Sequence, residues 1–171
     1  MESLPSRFKP DELARPGQHC SVTLPVSHFK RFSGLLASEH GEVSATVRFG
    51  MHGPQPVAKG QLSTRVELQC QRCLEPVAVD ITAQFAFGFI RQETDADALV
   101  DELDPVLVDD NGEIAVVDFL EDELILQVPV RVVHSDEQQC NPVVIDAVNT
   151  DQATDTNRHN PFSELGELLK N

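Results

Sequence analysis

The sequence predicts an α+β fold: a mostly antiparallel sheet with a long β-hairpin, one packed amphipathic helix and a short C-terminal helix. Three observations predict it. Apolar residues alternate with polar ones over 43–49, 62–68 and 77–89, the period of half-buried strands. One stretch, 114–128, changes to helical spacing. The last twelve residues, 160–171, carry a helix-capping signature ahead of an apolar stripe. Whether the sheet curls into a barrel is left open by these patterns.

Residues 1–18 are polar and punctuated by proline, and read as an N-terminal extension with one helical turn between Pro10 and Pro16. A single core domain is expected over 19–135. It opens strand-like at His19 and turns helical, because Phe29, Phe32 and Leu36 fall at i, i+3 and i+7 ahead of Gly41. Val43, Ala45, Val47 and Phe49 then alternate as one strand face. The clearest unit runs from Gly60 to Ile90. Leu62, Thr64, Val66 and Leu68 share one face of its first strand, and Val77, Val79, Ile81, Ala83, Phe85, Phe87 and Phe89 one face of its second. Between them lies "QRCLE", so Cys70 and Cys73 sit at the tip of a long hairpin.

Beyond Ile90 an acidic connection carries a short strand around "PVLV" and a turn at Asn111-Gly112. Ile114, Val117, Leu120, Leu124 and Val128 fall on one helical stripe, which Pro129 ends. Residues 136–159 read as an acidic, polar linker, with too little apolar surface in its later part to fold alone. In the final segment Asn160 caps, Pro161 takes the first helical position, and Phe162, Leu165, Leu168 and Leu169 share a face. Such a helix docks on its own core or on a partner, and docking on the core is the more usual fate.

Charge narrows the function. The net charge is −15, divided unevenly: residues 1–92 carry +2 and residues 93–171 carry −17. Affinity for nucleic acid depends on cations that displace counterions from phosphates, so an acidic half of this strength argues against salt-driven RNA binding as the principal mode. It would attract a basic protein and speed the encounter. With nine Phe and neither Trp nor Tyr, base stacking would rest on Phe alone. The N-terminus lacks an apolar run of signal-peptide length, and no run approaches about 18 apolar residues, so a cytoplasmic protein is expected. In that reducing compartment the four cysteines read as thiols or metal ligands rather than disulfides.

A C-x2-C pair in a turn lets two sulfurs converge on one zinc ion, and a second pair must come from elsewhere. The candidates are His134 and Cys140, giving Cys70, Cys73, His134 and Cys140 as a structural zinc set; His19 with Cys20 is an alternative source for either distant ligand. Redox chemistry needs the pair at a helix N-terminus, a context missing between two strands with Pro76 following. Without a metal, the two cysteines simply fill a tight hairpin end. H-E-x-x-H, G-x-S-x-G, phosphate-cradling glycine loops and the zinc-deaminase signature are all absent from the sequence, which reads as non-enzymatic. Glu121, Asp122 and Glu123 are consecutive, so they fan around a helix and form a mainly solvated acidic face.

Taken together, "VELQCQRCLEP", the acidic "VVDFLEDELILQVPVRVVH", Cys140 and the terminal "NPFSELGELLK" resemble the YceD family of large ribosomal RNA subunit accumulation proteins, over about residues 20–170. The resemblance implies a cytoplasmic protein that supports synthesis, processing or stability of 23S rRNA and so large-subunit assembly, with no established catalytic residues. It also implies a first candidate partner, ribosomal protein L32, since family genes commonly neighbour its gene; a pre-50S particle is the broader target. On this reading a basic ribosomal protein is bound by an acidic surface made of Glu121, Asp122, Glu123 and the run containing Asp101, Glu102 and Asp104. The rival is direct rRNA contact by Lys30, Arg31, Arg48, Lys59, Arg65, Arg72 and Arg91. A contiguous basic stripe with exposed Phe would favour RNA, and scattered cations would favour protein.

Overall fold

The computed structural model describes residues 2–153. The expected C-terminal helix over 160–171 lies outside the described residues. The architecture is α+β, with one six-stranded sheet, a two-stranded ribbon and short helices over one sheet face; the described residues form no closed barrel.

In chain order the strands are β1 (Glu2–Ser3), β2 (Arg7–Phe8), β3 (His19–Pro25), β4 (Glu42–His52), β5 (Gln55–Gln69), β6 (Pro76–Ile90), β7 (Asp104–Leu107) and β8 (Ile114–Ala115). The helices are α1 (Pro10–Ala14), α2 (Lys30–Ser33), α3 (Val116–Leu126) and α4 (Pro142–Ala153). The large sheet has the order β1-β3-β4-β5-β6-β7, antiparallel through its centre and parallel where β1 and β7 add at the two edges. β2 and β8 pair separately.

The predicted alternation is what builds the sheet. Val43, Ala45, Val47 and Phe49 on β4, Leu62, Val66 and Leu68 on β5, and Ile81, Ala83, Phe85, Phe87 and Phe89 on β6 are all buried, while the intervening residues of β4 and β5 face water. β5 begins five residues before the predicted strand, because Gly53-Pro54 closes a tight β4–β5 turn with Gly53 at φ +60°. Gly60 pairs with both Val47 and Phe85 and lets the Phe85 ring lie over the strand; a Cβ there would come within 2.6 Å of that ring.

α3 covers the aromatic end of this face. Phe119 meets the rings of Phe8, Phe85, Phe87 and Phe89 at centroid distances of 5.7, 5.6, 5.0 and 5.8 Å. The fully buried apolar stripe is Val116, Phe119, Leu120 and Leu124; it keeps the predicted Leu120 and Leu124, adds Val116 and Phe119, and leaves the predicted Val117 and Val128 partly buried against the core. Ile114 belongs to β8, because Arg7–Phe8 offers it a strand partner, and the helix starts only at Val116. Leu4, Phe8 and Ala14, from the segment read as an extension, are buried in the same core. No helix among the described residues is long and apolar enough to cross a membrane.

Candidate functional site

The β5–β6 hairpin ends in a turn whose hydrogen bonds fix both cysteines. Cys70 N–H donates to Glu75 O at 2.9 Å and Leu74 N–H to Cys70 O at 2.8 Å, and Leu74 is the one non-glycine described at positive φ, +65°. The chain returns to this tip after α3. Gln71 N–H donates to Val132 O at 2.8 Å, the Gln71 side-chain amide to Val130 O at 2.9 Å, and the Arg72 guanidinium to His134 O at 3.4 Å. Those contacts bring His134 and Cys140 to the turn. The ligand atoms of Cys70, Cys73, His134 and Cys140 all lie within 4.8 Å of one another, the three cysteines being buried.

The electrostatics at the tip are built largely by the backbone. Burial pushes the Cys70 thiol up, but N–H donors from Cys73, Arg72 and His134 converge on its sulfur and pull it down to about 5. Burial raises Cys140, opposed by the Arg72 side chain, whose Nε–H donates to Cys140 Sγ at 3.1 Å. The alternative ligands do not come near. Cys20 lies on β3 within the main core, whereas the other cysteines form a separate small cluster with Val77, Val133 and Ile145, and His19 meets Arg48 instead.

Ile145 belongs to α4, inside the segment read as a linker. The Asn141 side-chain oxygen accepts Val143 N–H at 3.1 Å and Pro142 stands at the first helical position, the same capping signature read at Asn160-Pro161.

A second feature is a groove of about 850 Å³ between β7, β8 and α3. Asp104, Asp118, Asp122 and Glu123 line it together with half-exposed Leu107 and largely exposed Leu126. Among the described residues its one lysine or arginine, Arg7, is held by Asp109 and Glu113 at 2.5 and 3.3 Å. Glu123 is raised above the usual carboxylate range by burial, then by the charges of Asp104 and Asp122. Carboxylates that crowd one another in this way favour a cation. Asp101 and Glu102 are exposed in the turn before β7 and do not line the groove.

Glu121 requires a correction. It is not on the solvated face but 4% exposed, where one carboxylate oxygen accepts the N–H groups of Arg31 and Phe32 at 2.8 and 3.2 Å and the other accepts Arg31 Nε–H at 2.8 Å. It caps α2 from another element, because Phe29 at the helix N-cap has no side-chain acceptor to offer. Arg31 also pairs with Asp122 at 2.7 Å.

The cations of the first half are dispersed over α2, several strands and the hairpin tip. Arg65 faces Asp80 at 3.7 Å, Arg91 reaches Asp11 at 3.4 Å, and Arg72 sits at the cysteines. Only Arg48 and Lys59 stand opposite each other on neighbouring strands. The eight described phenylalanines are all buried.

The fold and these two features define an acidic α+β protein with a Cys3His cluster at a hairpin tip and a carboxylate-lined groove. The chain belongs to the family described as large ribosomal RNA subunit accumulation protein YceD, whose sequence model matches residues 58–169. It is similar to the protein of that name from Haemophilus influenzae, 36% identical over 81 residues, which cover 47% of this chain and 47% of that relative. The match thus spans about half the length of the relative. No solved structure matches the chain.

Proposed function

We propose that this protein is a cytoplasmic, non-catalytic ribosome biogenesis factor that supports synthesis, processing or stability of 23S rRNA and large-subunit assembly by binding a basic ribosomal protein. Family membership supports the ribosomal setting. The observation that carries the mode of action is the groove between β7 and α3, where Asp104, Asp118 and Glu123 have no cationic partner among the described residues and apolar Leu107 and Leu126 stand beside them. Carboxylates supply attraction and register, and the leucines supply area for the aliphatic stems of Lys and Arg. An acidic partner of this kind keeps a basic protein soluble and away from RNA until delivery. L32 is the first candidate, on its own or within a pre-50S particle.

The rival reading, direct rRNA contact, needs a basic stripe and exposed aromatics. Dispersed, largely paired cations and buried Phe side chains speak against it, as does a charge of −17 over residues 93–171. The test is direct titration of the purified full chain with purified L32 and other basic large-subunit proteins in moderate salt, beside a 23S rRNA fragment. Low-micromolar binding of a ribosomal protein, weakened by Asp104→Asn with Asp118→Asn, is expected. Binding of the RNA alone would overturn the reading.

A further inference from the structure

Docking of a basic partner makes no use of the hairpin tip, and the geometry there leads to a different conclusion. His134 Nδ1 lies 3.5 Å from Cys73 Sγ and 3.6 Å from Cys140 Sγ. A ring nitrogen offers one proton or one lone pair, so hydrogen bonding would serve both sulfurs only as a shared, weaker three-centre bond. A tetrahedral ion accounts for both. With Zn–S of about 2.3 Å and Zn–N of about 2.0–2.1 Å, tetrahedral angles put nitrogen and sulfur roughly 3.5 Å apart.

The surroundings fit the same ion. Three thiolates and a neutral imidazole around Zn²⁺ leave one net negative charge, and Arg72, donating to Cys140 Sγ, offsets it inside a buried site. Arg72 N–H donates to Cys70 Sγ at 3.4 Å, so the turn itself holds a sulfur in place. The left-handed Leu74 is the cost of turning the chain tightly enough to aim Cys70 and Cys73 at one point, a strain that persists only where the surroundings impose it.

We propose that Cys70, Cys73, His134 and Cys140 bind one zinc ion in a closed tetrahedral site, and that the ion fastens residues 127–145 to the β5–β6 hairpin. Binding forms three Zn–S bonds and one Zn–N bond, and the thiol protons leave to solvent. Four protein ligands leave no position for water or substrate, so the ion is structural and not hydrolytic. Besides the ion, the segment is held by the hydrogen bonds from Gln71 and Arg72 to its backbone and from the Asn141 side chain to Glu75. Apart from a short 3-10 turn at Glu137–Gln139 it is irregular up to α4, Val130 is 97% exposed, and beyond Val128, which packs on the main core, Val133 and Ile145 pack in the small cluster around the cysteines.

The experiment uses the full chain, purified without chelator and with any affinity tag removed. Elemental analysis is expected to find one zinc per chain, falling to near none in Cys73→Ser and Cys140→Ser and unchanged in Cys20→Ala. Since a ligand variant can also fail to fold, the wild-type protein is separately loaded with Co²⁺. Intense visible bands with thiolate charge transfer report a tetrahedral sulfur-rich site. Hydrogen exchange after chelation is expected to rise across 127–141 while β4 and β5 stay protected. No zinc after reconstitution, a weak octahedral Co²⁺ spectrum, or full zinc in a folded Cys140→Ser variant would each overturn the proposal. A Cys70–Cys73 disulfide in the metal-supplemented protein would do the same.

Discussion

Replacing Glu121 by Ala tests whether this carboxylate is structural, as its position between α3 and α2 requires. The side chain is 5% exposed and accepts three hydrogen bonds, from Arg31 N–H, Phe32 N–H and Arg31 Nε–H. Phe32 is fully buried, so its N–H finds no ready substitute, and an orphaned buried donor costs about 1–3 kcal/mol. Arg31 is half-exposed, and water can take over its groups. Losing the charge-assisted acceptor adds about 1.5–3 kcal/mol. A total of roughly 3–5 kcal/mol agrees with the usual cost of breaking a buried ion pair from one side. At about 2–4 °C per kcal/mol for a chain of this size, Tm falls by roughly 6–20 °C. With no Trp or Tyr in the chain, intrinsic fluorescence is nearly silent, so urea and thermal unfolding are followed by far-ultraviolet circular dichroism. Asp122→Asn, whose side chain is 68% exposed, should stay within about 0.5 kcal/mol of wild type. An Ala variant at position 121 that lost less than about 1 kcal/mol would refute the capping argument, since a buried acceptor cannot be removed that cheaply.

Gly60→Ala drives a methyl group into the Thr46 carbonyl and the Phe85 ring, and should cost about 1–3 kcal/mol by the same unfolding assay. Leu74→Gly relieves the positive φ of an exposed residue, so a gain of up to about 1 kcal/mol is expected, with zinc content unchanged. Glu123 is raised above its ordinary 4.5, so its ionised form weakens the folded state above the raised value, and the penalty disappears as pH falls to the unfolded value. Glu123→Gln should therefore raise Tm at pH 7 by no more than about 2 °C and leave it unchanged at about pH 4, while weakening a basic partner. Asp109 is held below its ordinary 3.8 by Glu113 N–H, against some burial, and further by Asn111 N–H and Arg7. Its contribution is complete above 3.8 and lost as pH falls through the lower folded value, so Asp109→Asn should flatten the acid limb of the stability curve.

The sheet was legible because alternation is a local pattern with a single structural meaning: Val43 to Phe49 and Ile81 to Phe89 point inward as their spacing requires. The helix register was less so. A stripe through Ile114 and Val117 and one through Val116 and Phe119 both have helical spacing, and the choice depends on β2 claiming Ile114 and on the phenylalanines of β6 claiming Phe119. Glu121 looked like its neighbours Asp122 and Glu123 because nothing in the sequence says that α2, some ninety residues earlier, lacks its own cap. The four-residue cluster could be named from residue types, but its convergence depends on Gln71 and Arg72 binding the backbone of 130–134. Arg7, Asp118 and Leu126 were not foreseen as groove residues, since β7, β8 and α3 are separated along the chain and meet only in the fold.

The cluster and the β7 edge of the groove stand toward opposite ends of one strand, which makes their roles separable. Cys73 precedes β6 at Pro76, whereas Phe87, near the other end, pairs with Asp104 of β7 and lines the groove. The Leu126 end of the groove is four residues from Val130, which Gln71 holds at the tip, whereas at about 3.3 Å per residue Pro76 and Phe87 lie roughly 35 Å apart along β6. Between them β6 is hydrogen-bonded to β5 along its length, and packed sheets of this kind do not deform continuously. Removing zinc should therefore loosen 127–141 and leave the affinity for a basic protein at the groove unchanged, and Asp104→Asn should weaken that affinity with zinc still bound. If chelation instead abolished partner binding, the partner would have to touch α4 or the segment before it, and the metal would be a condition of recognition rather than of local order alone.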